Sequence, residues 1–141
     1  MTEYTKDNYT VSTDKTRLDA DAIHDYLSNH SYWAKGRTKE SVLRTIDHSL
    51  CFGLYHDREQ VGFARVITDY TTFGYLADVY VLTGHAGKGH ARWLMEVIMQ
   101  HPQLQGMRRF MLATRDAHPL YEKFGFKPLS QPERWMEIFK G

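Results

Sequence analysis

A predicted strand that runs into a glycine-bearing turn and then into a helix constrains this chain most. The apolar stretch from Phe73 to Leu82 predicts the strand. Gly87 and Gly89 lie in the turn, and an amphipathic segment follows them. Glycine has no Cβ, so such a turn can bend tightly and approach a ligand closely. The first N–H groups of a helix lack partners and carry the positive end of its dipole. The segment therefore predicts an anion site, most often for a phosphate or pyrophosphate.

Three kinds of glycine loop compete for this turn. A P-loop requires an earlier glycine where this chain has Leu82, and a hydroxyl residue where it has Gly89. A dinucleotide fingerprint requires a third glycine where this chain has Arg92, and an acidic residue about 20 positions on, after a second strand. Both patterns fail. The stretch from Ala86 to Ala91 resembles the coenzyme A loop of the GNAT superfamily of N-acetyltransferases. Only Ala86 departs from it, because the family usually has Arg or Gln there.

A second block strengthens this resemblance. The run Leu120 to Phe126, LYEKFGF, follows a predicted strand at 110–114 and closely resembles a signature of the same superfamily. The resemblance extends through 61–66 and 75–81 and covers roughly residues 10–140. The chain resembles a bacterial-type GNAT acetyltransferase. The resemblance implies transfer of an acetyl group from acetyl-CoA to a primary amine by direct attack on the thioester.

Bulk composition indicates an ordinary soluble domain. The chain has 141 residues, 42% apolar and 25% charged, which is typical of one globular unit. Its formal net charge of +1 argues against nucleic acid or an anionic membrane as a partner. The single cysteine, Cys51, fits a reducing compartment. No secretory signal and no bilayer-length apolar run is visible, so we expect a cytoplasmic protein.

The order of predicted elements indicates an α+β fold. We expect residues 1–8 to be disordered and 9–141 to form a single domain. Helices inserted among mostly antiparallel strands predict a sandwich, and the resemblance implies a GNAT-like α/β/α sandwich. In that fold the fourth and fifth predicted strands, 73–82 and 108–114, splay apart at the centre of a mixed sheet. A last strand is predicted at 135–139.

The resemblance also implies which residues bind the coenzyme. The backbone of the strand end would hydrogen-bond the pantetheine arm in the splay, and the amides of the turn would hold the pyrophosphate. Lys88 and Arg92 could add charge there, although a solvated helix start explains either side chain equally well. Thr114 stands where the family often has an asparagine that reaches the pantetheine. The full set is Val81, Leu82, Thr83, Gly87, Lys88, Gly89, His90, Ala91, Arg92 and Thr114.

Tyr121 is the implied general acid, because the family's tyrosine at this position lies near the coenzyme sulfur. A phenol with a pKa of about 10 keeps its proton at neutral pH and can give it to a departing thiolate. A core tyrosine that packs beneath its helix is the alternative.

The general base is not identified by the sequence. Many relatives carry a glutamate where this chain has Ala77. The next residue, Asp78, is a candidate for binding the substrate amine, and the alternative is a buried structural partner of Arg65. The remaining candidates are a water relay, Asp69, Asp116 and His118.

Aromatic residues of the first helical region, Tyr32 and Trp33, are candidates for the wall of the acceptor pocket. Core packing explains them equally well. The histidines show no metal-ligand spacing, so we expect no metal. The acceptor would be a small-molecule or protein amine, and a homodimer is implied because the last strands of this fold often pair between subunits.

Two other functions compete with the acetyltransferase. A catalytically weak homologue that binds an acyl-CoA as a sensor or scaffold is favoured by Ala77 and Ala86, whereas the retained Tyr121 counts against it. An RNA-modifying or RNA-binding protein is disfavoured by the near-neutral charge.

Overall fold

A computed structural model describes residues 2–141, in which six strands form one open sheet. The strands lie side by side in chain order. Neighbours are antiparallel except for the last pair, which is parallel and is joined through a helix. The strands are β1 (Glu3–Lys6), β2 (Tyr9–Ser12), β3 (Leu50–His56), β4 (Glu59–Thr68), β5 (Phe73–Val81) and β6 (Arg109–Leu112).

The described chain forms four α-helices, of which three lie between strands and the fourth follows β6. The Asp19 carboxylate accepts a hydrogen bond from Ala22 N and caps the first helix, and Thr38 Oγ1 accepts one from Ser41 N and caps the second. Both are the N-cap side chains that stabilise a helix start. The helices are α1 (Ala20–His30), α2 (Lys39–Asp47), α3 (His90–Gln100) and α4 (His118–Glu122).

The sheet has a hydrophobic core on each face. On one face α3 packs Leu94 and Ile98 against Phe52 of β3 and its neighbours. On the other face α1 and α2 pack Ile23 and Val42 against residues of β3 to β5. Each helix buries one apolar stripe. The predicted α/β/α sandwich with a mixed, mostly antiparallel sheet is therefore confirmed.

The two parallel strands separate part-way along their length. Their ladder runs from Phe73 opposite Arg109 to Leu76 opposite Leu112, and there it ends. Strand β5 continues to Val81 without a partner on that side. The predicted splay between these two strands is present, and it leaves backbone of β5 open to a gap.

A β-bulge lies in β5 beside this gap. Phe63 pairs with Tyr80, but the next pair joins Arg65 to Ala77, so β5 contributes one residue more than β4. Asp78 lies in the bulge with φ of 55°, in the left-handed region. A bulge reverses the alternation of side chains. Asp78 consequently shares the α1/α2 face of the sheet with Tyr80, whereas Leu76 belongs to the opposite core.

Two expectations about the chain ends are wrong. Glu3–Lys6 forms β1 rather than a frayed end, because a tight turn pairs it with β2 and Tyr4 packs against the core. Met1 lies outside the described residues. The predicted last strand at 135–139 is absent, because no strand in 2–141 pairs with this segment. Its apolar side chains are left in solvent, with Met136 96% and Ile138 91% exposed.

Candidate active site

A cavity of about 470 Å³ fills the gap between β5 and β6. Ala77 and Val79 of β5 form one wall, and Ala113 and Thr114, which follow β6, form the other. The loop between α1 and α2 roofs it, and α4 closes its inner end with Tyr121. This volume is of the size that holds a small molecule. The splay in the sheet therefore creates the main concave site of the described chain.

Tyr121 places its hydroxyl at this cavity. Its side chain is 8% exposed and packs edge to face on Phe126, with ring centroids 6.1 Å apart. No group in residues 2–141 hydrogen-bonds its Oη, whereas the one fully buried orphan polar atom is Tyr55 Oη. Burial, with a smaller effect from Tyr32, raises the pKa of Tyr121 to about 12. The phenol therefore keeps its proton at neutral pH and has a donor to spare.

Asp78 is enclosed by three donors. Its Oδ2 accepts from Arg65 Nε at 2.6 Å and from Arg37 Nη1 at 2.8 Å, and its Oδ1 accepts from Trp33 Nε1 at 2.8 Å. Burial acts to raise the pKa of Asp78, but Arg65 and then Arg37 outweigh it and hold the pKa below its usual value. Asp78 is thus an ionised, fully engaged carboxylate. The expected structural pairing with Arg65 is present.

A hydrogen bond between distant segments closes the mouth of the cavity. Tyr32 Oη accepts from the Arg115 backbone N–H at 2.9 Å. The Arg115 guanidinium lies over the Tyr32 ring, 3.9 Å from its centroid, where a cation–π attraction operates. Tyr32 and Trp33 both line the cavity. Tyr26, from the same region, instead stacks on Tyr80 inside the second core.

The glycine turn leads into α3 with a row of amides that lack partners. Gly87 and Gly89 have φ of 74° and 84°, in the left-handed region that favours glycine. No side chain caps the helix, and Trp93 is the first residue whose amide donates within it, to Gly89 O at 3.0 Å. The amides of 90–92 therefore face outward at the positive end of the dipole. Free backbone amides in this arrangement, called the cradle below, are suited to binding an anion.

Side chains contribute little to that cradle. Arg92 pairs with Glu96 at 3.5 Å on the helix surface, and both Lys88 and Ala86 are exposed. His90 is half-buried, with its ring centroid 3.8 Å from that of Tyr9. Burial, and then His85 and Lys88, lower the pKa of His90. The side chain of Arg92 therefore lies in solvent at the start of the helix, which is the alternative considered for it above.

Of the three implied strand-end residues, Val81 directs both its backbone groups to the gap, whereas both groups of Leu82 and the carbonyl of Thr83 have partners within the protein. Leu82 N donates to Val61 O at 2.8 Å, and Leu82 O accepts from His85 N at 2.8 Å. Thr83 O accepts from Ala86 N at 3.3 Å. Successive strand residues direct their backbone groups to opposite edges, so those of Val81 point away from β4 and toward the gap.

The other polar candidates have local partners or lie apart from the cavity. Thr114 Oγ1 accepts from Ala117 N at 3.1 Å at the start of α4, although the residue lines the cavity. Asp69 accepts from the amides of 71–73 and caps its own loop. Asp116 lines the cavity with its side chain 67% exposed. His118 begins α4 and does not line the cavity.

Arg37 is the site residue that sequence reasoning missed. It lies in a turn just before the cap of α2, among charged residues that resemble any solvated loop. Its partner Asp78 is 41 positions away. The sequence could have indicated Arg37 only as a basic partner for the buried carboxylate predicted at Asp78. Arg65 had already been given that role.

Two kinds of feature are absent from the described residues. In 2–141 no cluster of three or more His, Cys, Asp or Glu side chains is arranged to hold a metal ion. None of the helices formed by these residues is long and apolar enough to cross a bilayer.

Comparisons with known proteins agree with this geometry. The model of the acetyltransferase (GNAT) family matches residues 19–126. A protein of Gibberella zeae, provisionally described as an acetyltransferase, is 38% identical over 142 aligned positions, which cover 85% of this chain and 79% of that protein.

Solved structures share the fold. A GNAT-family protein from Xanthomonas campestris pv. campestris is 51% identical, with a TM-score of 0.93 and 96% of each chain covered. An acetyltransferase of Clostridium acetobutylicum, solved with acetyl-CoA, has a TM-score of 0.67 over 94% of this chain and 95% of its own. At 14% identity, that second likeness concerns the fold alone. The family match spans most of the chain and includes both the glycine turn and Tyr121. This chain belongs to the GNAT family of acetyltransferases.

Proposed function

We propose that this protein is an acetyl-CoA-dependent N-acetyltransferase that acts on a small-molecule or protein amine. The observation that carries the proposal is the cavity between β5 and β6, which brings the Tyr121 hydroxyl to the gap where β5 backbone is open. An anion cradle lies at the end of the same strand. Members of the family use acetyl-CoA. The cavity suits its acetyl thioester end, and the cradle suits its pyrophosphate.

The residues present fit the coenzyme through backbone more than through side chains. The amides of 87–92 would hold its pyrophosphate, because phosphate oxygens bind well at a helix N-terminus. Val81 N–H and C=O would pair with the amide groups of its pantetheine arm. Both backbone groups of Leu82 and the carbonyl of Thr83 are already engaged within the protein, so of these two residues only the Thr83 N–H is left for this role. The side chains of Lys88 and Arg92 would have to change conformation before their charges could contact the pyrophosphate.

Tyr121 is the general acid in the proposed reaction. Bound acetyl-CoA supplies an activated acetyl thioester. The Tyr121 phenol holds a proton on Oη and gives it to the sulfur that the acceptor amine displaces. Its high pKa keeps the proton in place before the reaction. The same desolvation raises the pKa of a thiolate left in the cavity, which favours the transfer.

Proton removal from the acceptor falls to water or to Asp116 in this proposal. Ala77 offers no base, and both oxygens of Asp78 are engaged by Arg65, Arg37 and Trp33. The remaining lining carboxylate, Asp116, is exposed to solvent at the rim. An amine can therefore lose its proton to water or to Asp116 as it enters the cavity.

The alternative function is a catalytically weak acyl-CoA-binding protein that acts as a sensor or scaffold. Ala77 and the small Ala86 favour it, whereas an unpartnered Tyr121 hydroxyl in the cavity favours catalysis. The two functions differ in one observable. A sensor binds acetyl-CoA and releases no free thiol with any amine.

We also propose that a second copy of the chain covers the C-terminal segment. Met136, Ile138 and Phe139 are 96%, 91% and 70% exposed, and they lie close together in the sequence. Exposed apolar patches on a small protein commonly mark an interaction site. The edge of β6 beyond the parallel pair is open to another strand.

A transfer assay tests the main proposal. Purified protein is mixed with acetyl-CoA and a panel of amines, peptides among them, and free thiol and acetylated product are both quantified. Acetylation of at least one amine, lost in Tyr121→Phe, supports the proposal. Tight acetyl-CoA binding without product from any amine overturns it in favour of the sensor.

A further inference from the structure

The charged groups of the cavity do not balance. Its lining includes the three arginines Arg37, Arg65 and Arg115 but only the two aspartates Asp78 and Asp116. Asp78 neutralises one of its two arginine partners, and Asp116 lies at the exposed rim. The inner wall therefore carries a surplus positive charge beside Asp78. A buried surplus charge is unfavourable until an opposite charge joins it.

The two arginines that bind Asp78 keep N–H donors without protein partners. A guanidinium has five N–H donors, and Arg37 uses Nη1 alone on a protein acceptor, which is Asp78. Its side chain is 23% exposed and lines the cavity. Arg65 donates through Nε to Asp78 and through Nη1 to Ser49 Oγ, which leaves Nη2 without a protein partner. That Nη2 is not among the fully buried unpaired atoms of residues 2–141, and Arg65 lines the cavity.

The same cavity lacks what a polycation needs. Ala77 provides no carboxylate, and the two oxygens of Asp78 already accept three hydrogen bonds. Asp116 lies outside this inner wall. A diamine or polyamine would place its second ammonium group close to unpaired guanidinium N–H groups, and like charges repel.

We propose that the acceptor is a small primary amine that also carries a carboxylate, in the manner of an amino acid, and that Arg37 binds the carboxylate. The planar fork of an arginine matches a carboxylate in two parallel hydrogen bonds. Tyr32 and Trp33 would pack on the rest of the acceptor. The inference rests on the proposed acetyltransferase function and specifies its substrate class.

A matched acceptor panel tests the charge preference. Each standard amino acid is compared with its amide, with its decarboxylated amine and with putrescine and spermidine, at saturating acetyl-CoA. We expect at least one amino acid to exceed its own amide and amine in kcat/KM by about tenfold or more, because a polar site rejects an analogue that leaves it unpaired. Equal or faster acetylation of the amides, decarboxylated amines or polyamines overturns the inference while the proposed function stands. Failure to acetylate any amine overturns the proposed function first.

Substitution of Arg37 assigns the carboxylate to this residue. Arg37→Gln should raise the KM of the preferred amino acid about tenfold and leave kcat little changed, since uniform binding is lost. The loss in kcat/KM on its decarboxylated amine should be much smaller than the loss on the amino acid. Arg37→Lys keeps the charge beside Asp78 and so protects folding, and it should recover part of the affinity. Arg44→Gln, on the exposed face of α2 with its side chain 75% exposed, is the matched control and should change neither acceptor. An unchanged preference in both Arg37 variants overturns the assignment.

Discussion

Arg65 and Asp78 meet inside the sheet where β5 bulges. Arg65 Nε donates to Asp78 Oδ2 at 2.6 Å, and the two side chains are 9% and 2% exposed. The bulge places Asp78 on the α1/α2 face, within reach of Trp33 and Arg37 in the roof of the cavity. One strand irregularity thus joins the sheet to the loop that roofs the site.

Asp78→Asn should destabilise the protein. The change leaves two guanidinium groups next to a neutral amide, and breaking a buried ion pair from one side costs about 3–5 kcal/mol. Urea unfolding of the variant and the wild type measures the difference in free energy. A soluble variant with unchanged stability and a raised KM for the amine would instead make Asp78 a substrate ligand.

The destabilisation should depend on pH in a fixed direction. The pKa of Asp78 in the folded protein lies below its ordinary value of 3.8. A depressed carboxyl pKa stabilises the fold fully above the unfolded value and loses that effect as pH falls through the folded value. The gap in stability between wild type and Asp78→Asn should therefore be constant above about pH 5 and narrow below about pH 4. A gap that widens on acidification would contradict the ion pair.

Tyr121→Phe should lower kcat at least about tenfold with little loss of stability. The substitution removes only the hydroxyl, which has no partner among residues 2–141, and leaves the packing on Phe126 intact. Steady-state kinetics and thermal unfolding of the same preparation separate the two effects. A rate within twofold of wild type, on the order of experimental scatter, would remove Tyr121 from the mechanism.

The pH profile of the wild type offers a second check on Tyr121. Its pKa of about 12 keeps the phenol protonated throughout the usual assay range. Rate should rise with pH as the acceptor amine loses its proton, and it should not fall near pH 10, where an ordinary tyrosine ionises. A descending limb near pH 10 that disappears in Tyr121→Phe would show that the phenol ionises at its ordinary pKa.

Gly89→Ala should weaken both the fold and the coenzyme site. Nothing lies within 4 Å of an added Cβ, so the cost comes from the left-handed φ of 84°, about 1–2 kcal/mol for a non-glycine residue. A shift of the backbone there turns amides away from the cradle and should raise the Kd for acetyl-CoA about tenfold. Gly84→Ala is the matched control. It has the same open space without a left-handed φ, so its Kd should be that of the wild type. Equal effects of the two substitutions would contradict the cradle.

The exposed C-terminal segment predicts a self-association that a charge can break. Light scattering should give a dimer mass for the wild type and a monomer mass for Met136→Lys with Ile138→Lys, because the two changes place charges in an apolar interface. Glu137→Gln alters the same segment without touching its apolar side chains and should remain dimeric. A monomeric wild type at every concentration contradicts the second copy.

Local patterns in the sequence predict most of the fold. Apolar periodicity locates the strands and the four helices, and Asp19 and Thr38 are recognisable helix caps. The glycine turn is predictable for the same reason, since a left-handed φ requires the residue type that stands there. Patterning fails at the ends of the chain. Strand β1 has no strong apolar alternation, and the apolar cluster at 135–139 lacks a partner strand within residues 2–141.

The polar contacts of the site depend on folding and could not be predicted. Arg37 and Asp78 are 41 positions apart, and Tyr32 and Arg115 are 83 apart. Neither pair has a sequence signature, because each depends on the bulge in β5 and on loops that meet across the cavity. The sequence also gives no indication of which backbone atoms face the gap. Leu82 and Thr83 differ from Val81 in their hydrogen bonds and not in any pattern of side chains.

Calorimetric titration of the purified protein with acetyl-CoA is the decisive measurement for the proposed function. We expect binding in the micromolar range at one site per chain, because the cradle of α3 and the open edge of β5 act through backbone and do not need an arginine at position 86. Absence of binding up to millimolar acetyl-CoA would contradict it. The family membership would then describe descent, and the cavity beside Tyr121 would need another ligand.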